Sequence, residues 1–321
     1  MMGFLAYSLL WLVVAYILMS LVLTYLVQQY PRNPVTDQPD WGKILDTRIP
    51  AIDGGSLEVW RIEPDGPCRG TVVLAHGWGR NRNRMVSRAR VFGAMGFTTI
   101  LHSARDHGNS SPRRFMNALK FSEDIETVLD WVGKPVILYG HSAGAGGSIL
   151  AASRNAHRIQ LLFLEGCYAY TKEALLNLYR WFNWYIGSCF GPAIIFWMDM
   201  FYRSDINMTS PALIAPVITM PVMVIHGEKD QRFPVAFAHT LRNSFMPGLA
   251  EMYVASGAGH SGSSQTPGYA PAIKGFLERN NFIGPLKAVP IGDQGFEINP
   301  RSCPAYFNSS FKSYHKLEDT E

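Results

Sequence analysis

The most apolar stretch of the chain comes first. No charged side chain occurs from Phe4 to Val27, a run that at about 1.5 Å per helical residue outreaches the roughly 30 Å hydrocarbon thickness of a bilayer. A helix this apolar on all sides needs lipid or protein around it. Residues 1–3 carry no Lys or Arg and no small-residue cleavage site follows, so the pattern predicts an uncleaved transmembrane anchor over residues 1–30 rather than a signal peptide. Tyr25, Tyr30 and Trp41 are placed near its interface. Arg32, Lys43 and Arg48 follow the span and only the α-amino group precedes it, which predicts a single-pass membrane protein with the remainder in the cytoplasm.

Residues 31–46, with Pro31, Pro34 and Pro39 among Asp residues, read as a linker. Residues 49–62 flank Asp53, Gly54 and Gly55 as an antiparallel hairpin with a tight turn would. Beyond it, short apolar runs at 71–75, 97–101, 136–139, 161–164, 221–225 and 251–254 alternate with helical stretches. Runs without polar alternation belong to parallel strands buried on both faces. The predicted fold class is therefore α/β, a doubly wound, mostly parallel sheet, occupying residues 47–281. An aromatic stretch interrupts it at 167–211, and after Asn281 the helical pattern gives way to an irregular tail, 282–321, with no assigned function.

Composition narrows the classes. The chain has 321 residues, 47% hydrophobic and 17% charged, enough to bury a core and incompatible with disorder. The net charge of +4 is spread without a basic block, which argues against a nucleic-acid partner. Cys68, Cys167, Cys189 and Cys303 form no CxxC pair, so neither a zinc site nor a disulfide scaffold is indicated, and no metal or organic cofactor is expected.

Ligands of doubly wound sheets bind beyond the carboxyl ends of the strands, and four of these ends carry polar residues. The run at 136–139 leads into Gly140-His141-Ser142-Ala143-Gly144, a GxSxG turn in which glycines remove the Cβ atoms that would clash around a strained serine. The run at 71–75 leads into His76-Gly77-Trp78-Gly79. There the Trp78 N–H is positioned to join that of Ala143 in an oxyanion hole, with His76 structural. The run at 221–225 leads to Glu228 and Asp230, of which Asp230 is the better carboxylate to orient an imidazole. The run at 251–254 leads through glycines to His260, a candidate general base. The order Ser142, Asp230, His260, each after a separate strand, predicts a Ser-His-Asp triad.

With these residues the sequence resembles the α/β-hydrolase superfamily, in its monoglyceride-lipase and lysophospholipase-like (serine aminopeptidase-like) branch. HGWG at His76, GHSAG at Gly140, HGEKD at His226 and GAGHS at Gly257 carry the resemblance. It implies that Ser142 is the nucleophile, His260 the base and Asp230 the triad acid. Arg105 to Ser110 is similar to the branch's DxxGHGxS loop but departs from it at Asn109, so Asp106 is read as a turn former.

In this superfamily the position of residues 167–211 holds a helical cap over the pocket. The uncharged run 181–198 is long enough to suggest a second membrane span. One more crossing there would put Ser142 and Asp230 on opposite sides of the bilayer, so the run is read as an apolar cap at the membrane surface. The whole predicts a membrane-anchored serine hydrolase of carboxylic esters, with a lipid or other small apolar acyl ester as substrate. Peptidase, amidase and thioesterase chemistry use the same parts, and a non-catalytic binding protein would share the fold.

Overall fold

The computed structural model describes residues 2–29, 35–202 and 206–284. The strands are β1 (Lys43–Pro50), β2 (Ser56–Glu63), β3 (Thr71–Ala75), β4 (Thr98–His102), β5 (Val136–His141), β6 (Ile159–Glu165), β7 (Val222–Gly227) and β8 (Ala250–Ala255). They form one sheet in the order β1-β2-β4-β3-β5-β6-β7-β8. β1 and β2 run antiparallel to their neighbours and the strands from β4 to β8 are mutually parallel. The order reverses around β3, which is what turns a sequence of βα units into a doubly wound sheet.

The helices are α1 (Met2–Leu26), α2 (Val86–Ala94), α3 (Ala118–Val132), α4 (Ala143–Arg154), α5 (Thr171–Phe182), α6 (Trp184–Tyr202), α7 (Pro211–Ile214), α8 (Val235–Ser244) and α9 (Tyr269–Arg279). Alternate residues of each central strand feed two separate apolar layers, as the period of two requires. Val73, Leu138 and Val224 pack with Ile125 and Leu129 of α3, Ile149 of α4 and Leu241 of α8. Val72, Tyr139, Phe163 and Ile225 pack with Phe92 of α2 and Phe276 of α9 on the other face. Such two-sided burial is why these strands read as unbroken apolar runs.

The hairpin closes where Asp53, Gly54 and Gly55 were expected to turn: the Ala51 N–H donates to the Gly55 oxygen at 2.7 Å, and Gly54 takes a φ of 84°. The linker boundary needs correction. Residues 43–46 belong to β1, paired from Lys43↔Glu63 onward, so the sheet starts inside the stretch read as linker. Residues 35–42 are also not a free spacer. Val35 exchanges hydrogen bonds with the Asn81 side chain, the Asn83 amide donates to the Asp37 carbonyl at 2.8 Å, and Asp40 pairs with Arg90. Trp41 packs on the α2 and α9 layer under the Arg90 guanidinium. Residues 31–34 and 285–321, with Tyr30, Arg32 and nearly all of the expected tail, lie outside the described residues.

Between β6 and β7 the chain leaves the sheet as the hairpin α5–α6. Asn183 makes the turn between them: its N–H donates to the Tyr179 oxygen at 3.0 Å, and its side-chain oxygen caps the Ile186 N–H at 3.0 Å. At Gly191 a Cβ would come within 2.8 Å of Leu176, so that glycine permits the close approach of the two helices.

Candidate active site

β5 delivers Ser142 to a turn so tight that its backbone takes φ 56°, ψ −120°, a region that costs an L-residue about 1–3 kcal/mol. Three contacts hold it there. The Ser142 N–H donates to the Glu165 oxygen at 2.8 Å, and its own carbonyl accepts from Ala145 at 2.9 Å and Gly146 at 3.1 Å. The flanking glycines are sterically required: a Cβ at Gly140 would lie 2.5 Å from the Gly144 oxygen, and one at Gly144 would lie 2.6 Å from the Ala75 oxygen. The turn opens α4, so Ser142 sits at a helix N-terminus, where developing negative charge is favoured.

His260 Nε2 is 2.9 Å from Ser142 Oγ. Its Nδ1 is 2.7 Å from Asp230 Oδ2, so with the carboxylate accepting, Nδ1 carries the proton and Nε2 accepts from the serine hydroxyl. The other Asp230 oxygen accepts from the Arg232 N–H at 2.9 Å and the Phe233 N–H at 3.0 Å. Burial pushes this carboxyl up, but hydrogen bonds from His226 and His260 and the Phe233 N–H outweigh it and hold Asp230 well below the usual carboxylate range. Glu228, the alternative acid, is exposed and staples the neighbouring loop, accepting from the Gly257 N–H at 2.8 Å and the Ser256 hydroxyl at 3.0 Å. The ring of Phe233 stands edge-on to His260 at 5.1 Å. His141, next to the serine, is fully buried and donates Nε2–H to the His260 carbonyl at 3.1 Å. Burial pulls its imidazole down to about 3, so it stays neutral.

Trp78 and Ala143, the two expected oxyanion donors, pack on one small cluster of Ala104, Met116 and Phe121. The Trp78 loop is held from behind. Gly79 donates to His107 Nε2 at 3.0 Å while His107 Nδ1–H donates to the Arg105 oxygen at 2.9 Å. His76 is structural: Nδ1–H donates to the Gly77 oxygen at 2.7 Å and Nε2 accepts from Ala104 at 2.9 Å. Arg105 is anchored by Asp124 at 2.5 Å, Glu123 at 2.6 Å and Asp53 at 2.8 Å. Asp106 forms the turn, with φ 63° and its N–H donating to the Ser111 oxygen at 2.8 Å.

A second buried network lies under the serine. Arg88 of α2 forms a two-pronged ion pair with Glu165 at the end of β6. Glu165 also accepts from Tyr139 Oη at 2.6 Å, and Arg88 reaches the Ser261 carbonyl beside His260 at 3.3 Å. Sequence reasoning missed this pair and gave no role to Arg105, His107 or His226; the DxxGHGxS-like loop was the one signal that could have found two of them.

Ser142, Ala143, Trp78 and His260 open into a cavity of about 200 Å³, walled mainly by apolar side chains, many of them from the cap, with Arg232 the one permanently charged lining residue among the described residues. No three His, Cys, Asp or Glu side chains form a metal-binding group among the described residues.

Residues 66–196 match the family described as serine aminopeptidase, S33. A monoacylglycerol lipase of Mycolicibacterium smegmatis is 26% identical, the match covering 57% of this chain and 78% of that one. Among solved structures, an esterase of Pyrococcus furiosus superposes with a TM-score of 0.61 at 18% identity, covering 78% of this chain and 99% of its own. The chain has the α/β-hydrolase fold. A membrane phospholipase A described as a bacterial virulence factor shares the hydrolase's fold over 88% of this chain and 99% of its own, with a TM-score of 0.59 and 16% identity. With these relatives, the hydrolase stands among the esterase- and lipase-like carboxylic ester hydrolases.

Proposed function

We propose that this hydrolase is a membrane-anchored enzyme that cleaves lipid or other long-acyl esters through Ser142, His260 and Asp230. The observation that carries the reading is the relay itself, 2.9 Å from serine to imidazole and 2.7 Å from imidazole to carboxylate, at the wall of a mostly apolar cavity. His260, held in one tautomer by Asp230, takes the Ser142 proton as Oγ attacks the carbonyl carbon. The N–H groups of Ala143 and Trp78 stabilise the oxyanion. Collapse of this intermediate breaks the bond to the alcohol, which leaves with the proton from His260. Water, deprotonated by the same imidazole, then releases the acid and restores the serine.

Long acyl chains are favoured by the cavity lining, and the relative named monoacylglycerol lipase supports a lipid ester. Anchoring through α1 is supported by its outward apolar side chains: Phe4 is 78% and Trp11 70% exposed, a cost that lipid removes. The basic residues after the span favour a cytoplasmic domain.

The test is covalent labelling of detergent-solubilised protein with a fluorophosphonate, followed by hydrolysis of p-nitrophenyl esters of graded chain length. Wild type is expected to label, Ser142→Ala and His260→Ala to lose the label, and Ser142→Ala to lose turnover by about a millionfold. A folded wild type that takes no label, or a Ser142→Ala enzyme with intact turnover, would sink the proposal.

A further inference from the structure

α1 does not stand apart from the domain. The Tyr16 ring stacks on Phe190 of α6 with centroids 4.9 Å apart, and its hydroxyl donates to the Cys189 carbonyl at 2.8 Å. Four residues on, Ser20 Oγ accepts from Trp197 Nε1–H at 2.7 Å. The contacts advance in the same direction along both helices, so α6 of the cap runs beside α1.

The burial of α1 is inverted relative to a soluble helix. Among the described residues of α1 and the turn after it, the buried positions are Ser20, Thr24 and Gln28, spaced by four and polar, while Val22, Tyr25 and Leu26 are about half exposed. A polar stripe turned toward protein and an apolar surface turned outward is the arrangement of a helix whose solvent is lipid. Within the stripe the polar groups are satisfied locally: Thr24 Oγ1 donates to the Ser20 oxygen and Gln28 Nε2 to the Thr24 oxygen, both at 2.7 Å.

This stripe ends at the catalytic cavity. Val27 and Gln28 line the same space as Ser142 and His260, together with Leu178 and Met198 of the cap. We propose that the turn closing α1 is a wall of the acyl-chain site, so that Val27 and Gln28 help to set the length of acyl chain the hydrolase accepts. The inference rests on reading the cavity as the ester site. The segment that holds the enzyme in the bilayer then also ends in a substrate-contacting turn, and the acyl chain of a bound ester lies against that turn with its carbonyl at Ser142.

The experiment compares two adjacent substitutions in the full-length protein in detergent micelles. Val27→Trp fills part of the cavity. Leu26→Trp adds the same bulk on the outward face, since Leu26 is 53% exposed and outside the lining. The readout is the ratio of kcat/KM for p-nitrophenyl laurate to that for p-nitrophenyl butyrate. Loss of one or two methylenes from a binding pocket is a tenfold effect or more, so Val27→Trp is expected to lower the ratio about tenfold and Leu26→Trp to leave it near wild type. Gln28→Ala, which enlarges the space, is expected to raise it. Labelling by a short-chain fluorophosphonate is followed in every variant. If all variants label and share the wild-type ratio, or if Leu26→Trp lowers it as much as Val27→Trp, the wall assignment is overturned while the ester reading stands. If Val27→Trp alone fails to label because it does not fold, Gln28→Ala decides by the same ratio. If wild type itself takes no label, it is the ester reading that fails.

Discussion

At the scale of single residues, one carboxylate among three candidates in the site region is held where its charge is useful. Asp106 makes a turn and Glu228 ties down an exposed loop, whereas Asp230 is buried and meets an imidazole and two backbone N–H groups. His226, buried at the end of β7, donates Nε2–H to the Phe233 carbonyl at 2.7 Å with Asp230 Oδ2 at 3.3 Å, so it braces the loop that carries Asp230. Asp230→Asn keeps the shape but replaces the acceptor that fixes the His260 tautomer, and is expected to lower kcat about ten-thousandfold. Glu228→Gln should change kcat by no more than a few-fold. Ester hydrolysis and label incorporation in the two variants make the comparison, and equal losses would show that the acid had been assigned to the wrong side chain. Sequence order and strand-end placement narrowed the acid to Glu228 or Asp230, and the resemblance carried by HGEKD preferred Asp230. His226 was not legible in this way, since the same HGEKD motif gives no sign that its imidazole points at a backbone carbonyl.

At the scale of elements, the strands that read most clearly are those buried on both faces, and the one that read least clearly is β1. Its residues are nearly all exposed on the sheet edge, so Lys43 to Asp46 show none of the apolar alternation by which a strand announces itself. The Pro and Asp residues before it suggested a spacer for the same reason, although Asn81 and Asn83 hold that stretch on the domain surface. The Arg88–Glu165 pair was equally hidden. It joins α2 to the end of β6 across 77 residues, and an isolated charge beside an apolar run carries no periodic signature. Its consequence reaches Ser142, because the Glu165 carbonyl receives the Ser142 N–H and Arg88 reaches the loop of His260. Replacing Glu165 by Gln leaves a fully buried guanidinium without its counter-charge, which costs about 3–5 kcal/mol. Chemical denaturation in detergent should show a loss of that size, with slower labelling of Ser142. A variant within about 0.5 kcal/mol of wild type, the range of an ordinary surface change, would mean that the pair is solvated or dispensable.

At the scale of the whole molecule, burial of titratable groups gives the hydrolase a defined acid limit. His102, fully buried, is pulled by burial alone from 6.5 to about 4. Burial likewise brings His141 to about 3, and His76 falls well below its ordinary value by burial and the proximity of His107. Glu165 is pushed up by burial but held down by Arg88, to about 2 from 4.5. In every case the unfolded chain binds a proton at a pH where the folded chain does not. Stability therefore rises with pH across these intervals: the histidine contributions are complete above 6.5 and are lost as pH falls toward 4 and 3, and that of Glu165 is lost between 4.5 and 2. Each such proton adds about 1.4 kcal/mol per pH unit to the slope. Asp124, pushed up by burial from 3.8 to about 6, opposes them by one proton over that interval; the three histidines outnumber it, so the unfolding free energy of wild type should fall as pH drops below 6.5. His102 offers the cleanest test, because its Nδ1 makes no hydrogen bond and a similarly sized apolar side chain removes the titration without orphaning a partner there. His102→Leu is expected to lessen the slope between pH 6 and 4.5 by close to one proton, with activity retained at neutral pH. An unaltered slope would place the acid limit in some other group, and a steeper one would mean that the imidazole is charged in the folded protein.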